Sequence, residues 1–196
     1  MKKYIYYLGM VAIALIGATS CQMQEEMWGN QTGVEQVGVL QLKVEATAPA
    51  SLTTKAEAST TTNSVDTQDF AVVVKGKEGT DVKDVVRFFE KYEVLPEKIS
   101  LPIGEYEVSS HTPGELKKTL SYPYFAGEKE LTITEGTENS TTVMCKMKNS
   151  RIQMNYSDDF KKSFTKWSIM ITDKSNQALL YDETNMNPDA VYWFFD

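Results

Sequence analysis

The sequence predicts an all-β, antiparallel β-sandwich with one short helix near residues 158–164. Two observations carry that reading. From Val37 onward, about nine or ten short runs rich in Val, Ile, Phe, Tyr and Thr recur, with turn residues roughly every dozen positions. Asp158 to Phe164 sets Phe160 and Phe164 at helical spacing. Hydrophobic residues are 41% and charged residues 24% of 196, enough apolar material for the core of one ordinary domain.

The elements follow in order. Val37 to Val44 alternates and forms the first strand. Ala46 to Gln68 is dominated by Ala, Thr and Ser, with Leu52 and Val65 its main large apolar residues. It cannot bury a face and is expected to be a long flexible loop. Phe70 to Val74 is a compact β-branched strand, and Val85 to Tyr92 is a strand or a short helix, its β-branched and aromatic content favouring the strand. Ile99 to Pro102 turns at Ile103-Gly104 into a strand ending at Ser109. Lys129 to Thr134 alternates, and Glu135 to Glu138 turns the chain into Thr141 to Lys148. Arg151 to Tyr156 follows Asn149-Ser150, which predicts a hairpin with the preceding strand. Ser157-Asp158 caps the short helix, with Phe160 and Phe164 one turn apart. Trp167 to Ile171 and Ala178 to Tyr181 add two strands, and no internal repeat is visible.

Two local expectations are specific. Gly104 is expected to take a backbone conformation closed to other residues, so that Tyr106 covers a sandwich edge with its hydroxyl bonded to backbone. Alternation puts Val143, Cys145 and Met147 on one face, which makes Cys145 a buried residue with an inert thiol.

The amino terminus carries an address. Lys2 and Lys3 precede an apolar stretch from Tyr4 to Ile16, then Gly17-Ala18-Thr19-Ser20-Cys21. Basic, then apolar, then small is a secretory signal peptide over residues 1–20, too short for a mature membrane span. Ending the small residues on Cys21 makes it a lipoprotein signal. The thiol would take a diacylglyceryl group, cleavage would fall before it, and several acyl chains would hold the protein on a membrane. Ala18 stands where the usual bacterial lipobox has Leu, which resembles the looser lipobox of Bacteroidetes lipoproteins. Gln22-Met23-Gln24-Glu25-Glu26 follows, and Glu25 and Glu26 resemble the acidic signal that exports such lipoproteins to the outer face of the outer membrane. Residues 21–36 are then the lipidated Cys and a polar tether, and 37–196 the sandwich domain. Losing residues 1–20 removes two lysines and no acids, taking the net charge from −7 to −9. With pI near 4.9, nucleic acid is not expected as a partner.

Three segments resemble a known family. Leu101-Pro102-Ile103-Gly104-Glu105-Tyr106-Glu107-Val108 resembles the LPxGxYxV corner of fimbrillin-like sandwiches. Tyr122 to Ile133 resembles a PYYxGxxxFTI segment, and Thr142 to Met147 a TVTCKL segment continued by Asn155 to Trp167. Together they resemble the Bacteroidetes lipoprotein family catalogued as domain of unknown function 4493, over roughly residues 38–185. The resemblance implies a surface lipoprotein with a fimbrillin-like or transthyretin-like sandwich, and no catalytic residues.

Candidate sites are few. His111 follows Ser109 and Ser110, but neighbours on one strand cannot assemble a triad. Glu128 and Glu130 lie two apart on one strand face, as acidic proteins often show. Asn185-Met186-Asn187-Pro188-Asp189 spaces oxygen side chains as a calcium loop does, without the central Gly, and reads as a strand connection. No metal or cofactor is expected. Tyr122, Tyr124 and Phe125 cluster around Pro123, a segment that reads first as a wedge into the core edge of the sandwich and could stack on sugar rings if exposed. Val191 to Phe195 is intensely apolar. It reads as a last edge strand, as the end of a chain cut short (favoured because the family pattern runs further), or as a strand donated to a neighbour. The leading expectation is a lipid-anchored, outward-facing adhesin or fimbrial sandwich whose partners are pilin-like subunits. The alternative is a glycan-binding accessory lipoprotein.

Overall fold

The computed structural model describes residues 36–49, 62–173 and 177–195. Cys21, Glu25 and Glu26 lie outside the described residues, as do residues 50–61. In chain order the strands are β1 (Val37–Pro49), β2 (Thr62–Val65), β3 (Ala71–Gly76), β4 (Val86–Phe89), β5 (Ile99–Pro102), β6 (Gly104–His111) and β7 (Thr119–Leu120). β8 (Phe125–Ile133), β9 (Glu138–Met147) and β10 (Ser150–Ile152) follow, then helix α1 (Asp158–Ser163), β11 (Ser168–Thr172), β12 (Ala178–Asp182) and β13 (Val191–Trp193).

Period-two alternation decides which side chains go inside. Leu40, Val44 and Ala46 of β1, Val72 and Val74 of β3, Tyr106 and Val108 of β6, and Val143 and Cys145 of β9 fill one core, joined by Ile99 and Leu101 of β5. Each large side chain buried there contributes about 1.5–3 kcal/mol. The strands run in the order β2-β1-β9-β8-β6-β3-β4, with β5 also on β1, in one curled eight-stranded sheet. The chain is an all-β sandwich with one short helix, as the sequence predicts.

One pair is not antiparallel. β1 lies parallel to β9 in a register from Val39 against Glu138 to Thr47 against Lys146. Parallel pairing needs only a long connection, and nearly a hundred residues separate these strands.

Other local expectations are corrected by tertiary contacts. The Ala/Thr/Ser-rich stretch 46–68 is not loop at its ends, because Ala46–Pro49 pairs with Thr62–Val65. Backbone pairing needs no large side chain, and Ala46 is small enough to close the core. The strand expected over 85–92 stops at Phe89, and Tyr92–Val94 forms a 3-10 turn. β10 does not fold back on β9. The buried Asn149 diverts the chain, its Oδ1 accepting from the Tyr124 N–H at 2.9 Å and its Nδ2 donating to the Tyr122 carbonyl at 3.2 Å. β10 then pairs with β13.

The segment Val191–Phe195 is not an edge strand either. β13 is the middle of the three-stranded sheet β10-β13-β7, and Trp193 is 1% exposed. The Trp193 indole donates to Asp173 Oδ2 at 2.8 Å. Lys118 Nζ lies 2.5 Å from the same oxygen and 5.5 Å from the centre of the Trp193 ring. Paired on both sides within its own chain, β13 has no free edge to donate to a neighbour.

Candidate functional site

Among the sequence-singled residues, the aromatic group at Pro123 is not a platform. Tyr124 is 7% and Phe125 2% exposed, so neither face can receive a sugar. Tyr124 donates its hydroxyl to the Gly114 carbonyl and stacks on His111, while Phe125 stacks on Phe70. Only Tyr122 reaches the surface. The alternation of β8 begins at Phe125 and draws it inside.

The nucleophile candidates separate just as plainly. Ser110 is buried, whereas its neighbours Ser109 and His111 lie on the opposite face of β6. The His111 Nδ1 is 2.8 Å from the Thr112 carbonyl. Cys145 is fully buried and donates to the Ser110 carbonyl, and burial pushes its thiol above the ordinary value. Glu130 accepts from Lys77, which also meets Glu105. The Asn185 N–H donates to the Asp182 carbonyl, and Asp182 Oδ1 accepts from the Thr184 N–H, so this connection opens as an Asx turn. Among the described residues no group of three or more His, Cys, Asp or Glu is placed to hold a metal.

Apolar groups converge elsewhere, Phe164 among them exposed and Tyr156, Phe160 and Trp167 half-buried. α1 is capped by Ser157, whose Oγ accepts from the Phe160 N–H at 3.2 Å. Around it Tyr156, Phe160, Phe164 and Trp167 form a chain of ring contacts, with centroids 4.5–5.7 Å apart. The Trp167 N–H reaches Glu183 Oε2 at 3.4 Å and ties this cluster to the end of β12.

β11 and β12 form a separate antiparallel ribbon. Ile169 opposes Tyr181 and Ile171 opposes Leu179 on one face, with Tyr181 buried. On the other face Met170 stands directly opposite Leu180, and they are 66% and 65% exposed. Strands apolar on both faces belong in an interior. Here one apolar face is at the surface. The signal was present in the unbroken apolar runs Ile169-Met170-Ile171 and Leu179-Leu180-Tyr181.

The family model described as Domain of unknown function (DUF4493) matches residues 36–196. The chain belongs to this family. The DUF4493 match spans every described residue, including the ribbon, α1 and β13. Among solved structures, a crystal structure titled as that of a "putative adhesin" from Bacteroides thetaiotaomicron is similar at a TM-score of 0.40 and 14% identity. The similarity covers 84% of this chain and 71% of that one. No curated protein matches the DUF4493 chain. Among its described residues no helix is long and apolar enough to cross a membrane.

Proposed function

We propose that this chain is a surface-displayed adhesive module, lipid-anchored through Cys21 to the outer membrane, facing outward and working by protein contact without catalysis. The observation that supports it best is the Met170–Leu180 face. Two large apolar side chains, each about two-thirds exposed, sit directly across a two-stranded ribbon. Apolar surface of this kind, on short strands with open edges, is what a partner protein covers. β4 supports the same reading. It ends the eight-stranded sheet, and it carries Phe88 at 64% and Val86 at 50% exposure. Anchoring and outward display rest on the order of basic, apolar and small residues before Cys21 and on Glu25 and Glu26 behind it. A net charge of −9 once residues 1–20 are removed keeps the body off an anionic bilayer.

The test is a double substitution, Met170→Lys with Leu180→Glu, which sets opposite charges across the ribbon, on cells that display the chain. Both sites are exposed, so the melting temperature should hold. Cross-links to neighbouring surface proteins, pilin-like subunits included, should be lost. Unchanged cross-linking would defeat the proposal.

A further inference from the structure

Among the described residues, one edge of β1 is paired with two separate strands and has a gap in its ladder between them. β5 covers Val37–Leu40 and β2 covers Ala46–Pro49, leaving residues 41–45 with no strand beside them on that side. Backbone direction decides which groups face the gap. The Val39 N–H donates to Thr137 on the β9 side, whereas the Val44 carbonyl accepts from Thr67 Oγ1 on the other. With the alternation of a strand, even-numbered residues address the gap. The N–H and carbonyl of Leu42 therefore face it, without a protein partner among the described residues.

A groove of about 630 Å³ lies at this gap, and its lining includes Gln41, Gln68, Tyr92, Pro96, Glu97 and Ser140. Tyr92, which also packs against the core, and Pro96 bring apolar rings to the lining. Gln41 and Gln68 offer amides that both donate and accept, and Ser140 a hydroxyl. The Glu93 N–H donates to the Gln68 carbonyl at 3.0 Å, so one wall is fixed by backbone.

The shape and charge select the ligand. An added peptide strand needs an open run of edge, and here β5 and β2 stop it at both ends after five residues. An anion would meet Glu93 and Glu97, while the lining lysine, Lys43, is held 2.5 Å from Glu45. A cation would find Glu93 already paired with Lys91 at 3.3 Å and the Lys43 ammonium in the same lining, so a compact neutral molecule with an apolar face and a rim of hydroxyls fits best.

We propose that this groove binds a neutral saccharide, its ring against Tyr92 and Pro96 and its hydroxyls on Gln41, Gln68, Ser140 and the Leu42 backbone. The site lies on residues other than the Met170–Leu180 face, so either proposal can fail while the other stands.

The test titrates the intact chain in detergent with a panel of neutral hexose and N-acetylhexosamine disaccharides, following the amide resonances of the lining residues Leu42 and Lys43. An extended peptide of alternating Val and Thr is titrated in parallel. At least one disaccharide should shift both amides, and Gln41→Ala and Gln68→Ala should each weaken its binding by about tenfold, the worth of one good hydrogen bond. Neither residue belongs to the buried core, so both variants should fold, and Tyr122→Ala should bind within about twofold of the unchanged chain. Amides unmoved by every disaccharide would overturn the proposal. So would a shift by the peptide alone, or unchanged affinity in both glutamine variants.

Discussion

The Tyr106 hydroxyl donates to the Pro102 carbonyl at 2.9 Å, bridging the corner where β5 becomes β6. Gly104 makes the bridge possible. Its φ is +152°, and a Cβ there would stand 2.8 Å from Val82 Cγ2. Tyr106 is fully buried, so its hydroxyl must find a partner inside, and Pro102 supplies it. Tyr106→Phe should cost about 0.5–1.5 kcal/mol from the lost bond. Gly104→Ala should cost more, about 1–3 kcal/mol, because it adds backbone strain to the clash. Urea unfolding of both variants checks the order. A larger loss for Tyr106→Phe would show that the corner does not depend on the glycine.

The second prediction concerns how β13 is held. Trp193 is buried, and its indole and Lys118 share Asp173 Oδ2. Trp193→Ala should cost about 3–5 kcal/mol. Asp173→Ala strips both donors of this partner and should cost about 1.5–3 kcal/mol, as for hydrogen bonds to a charged group. Lys118→Met keeps much of the packing on the Trp193 ring and should cost less than Asp173→Ala. Thermal melts rank the three, and a neutral Trp193→Ala would mean that β13 is not docked.

Alkaline pH should loosen the core in a definite window. Burial raises the Cys145 thiol, and it raises the phenols of Tyr124 and Tyr181. A group raised in the folded state favours folding fully below its unfolded pKa, and that contribution is lost as pH rises toward the folded value. Stability should therefore hold at neutral pH and begin to fall above about 8.5, the ordinary thiol value. The tyrosines add to the fall above about 10. Cys145→Ala should lower overall stability and flatten the first part of this decline. Denaturant melts across that range measure it, and a slope identical to that of the unchanged chain would exclude the thiol.

The anchor gives a fourth prediction. Cys21→Ala should abolish fatty-acid labelling and release the protein from membranes. Replacing Glu25 and Glu26 with Ala should keep the label but hide the protein from protease added to intact cells. Labelling of the Cys21→Ala protein would exclude this thiol as the acyl site.

The sequence by itself determined what depends on neighbours within about ten residues. Alternation assigned Val143 and Cys145 to the interior, because successive side chains of a strand point to opposite faces. The Gly104–Tyr106 corner and the Ser157 cap were legible for the same reason, since each joins groups two to four residues apart. Only the tertiary structure decided which strands meet. It set β1 parallel to β9, made β13 the centre of its sheet, and put Tyr124 and Phe125 inside. It also brought β2 and β5 to one edge of β1 with a gap between them. Closing a longer loop costs little more than closing a short one, so strand partners are chosen by the packing of whole faces and not by distance along the chain.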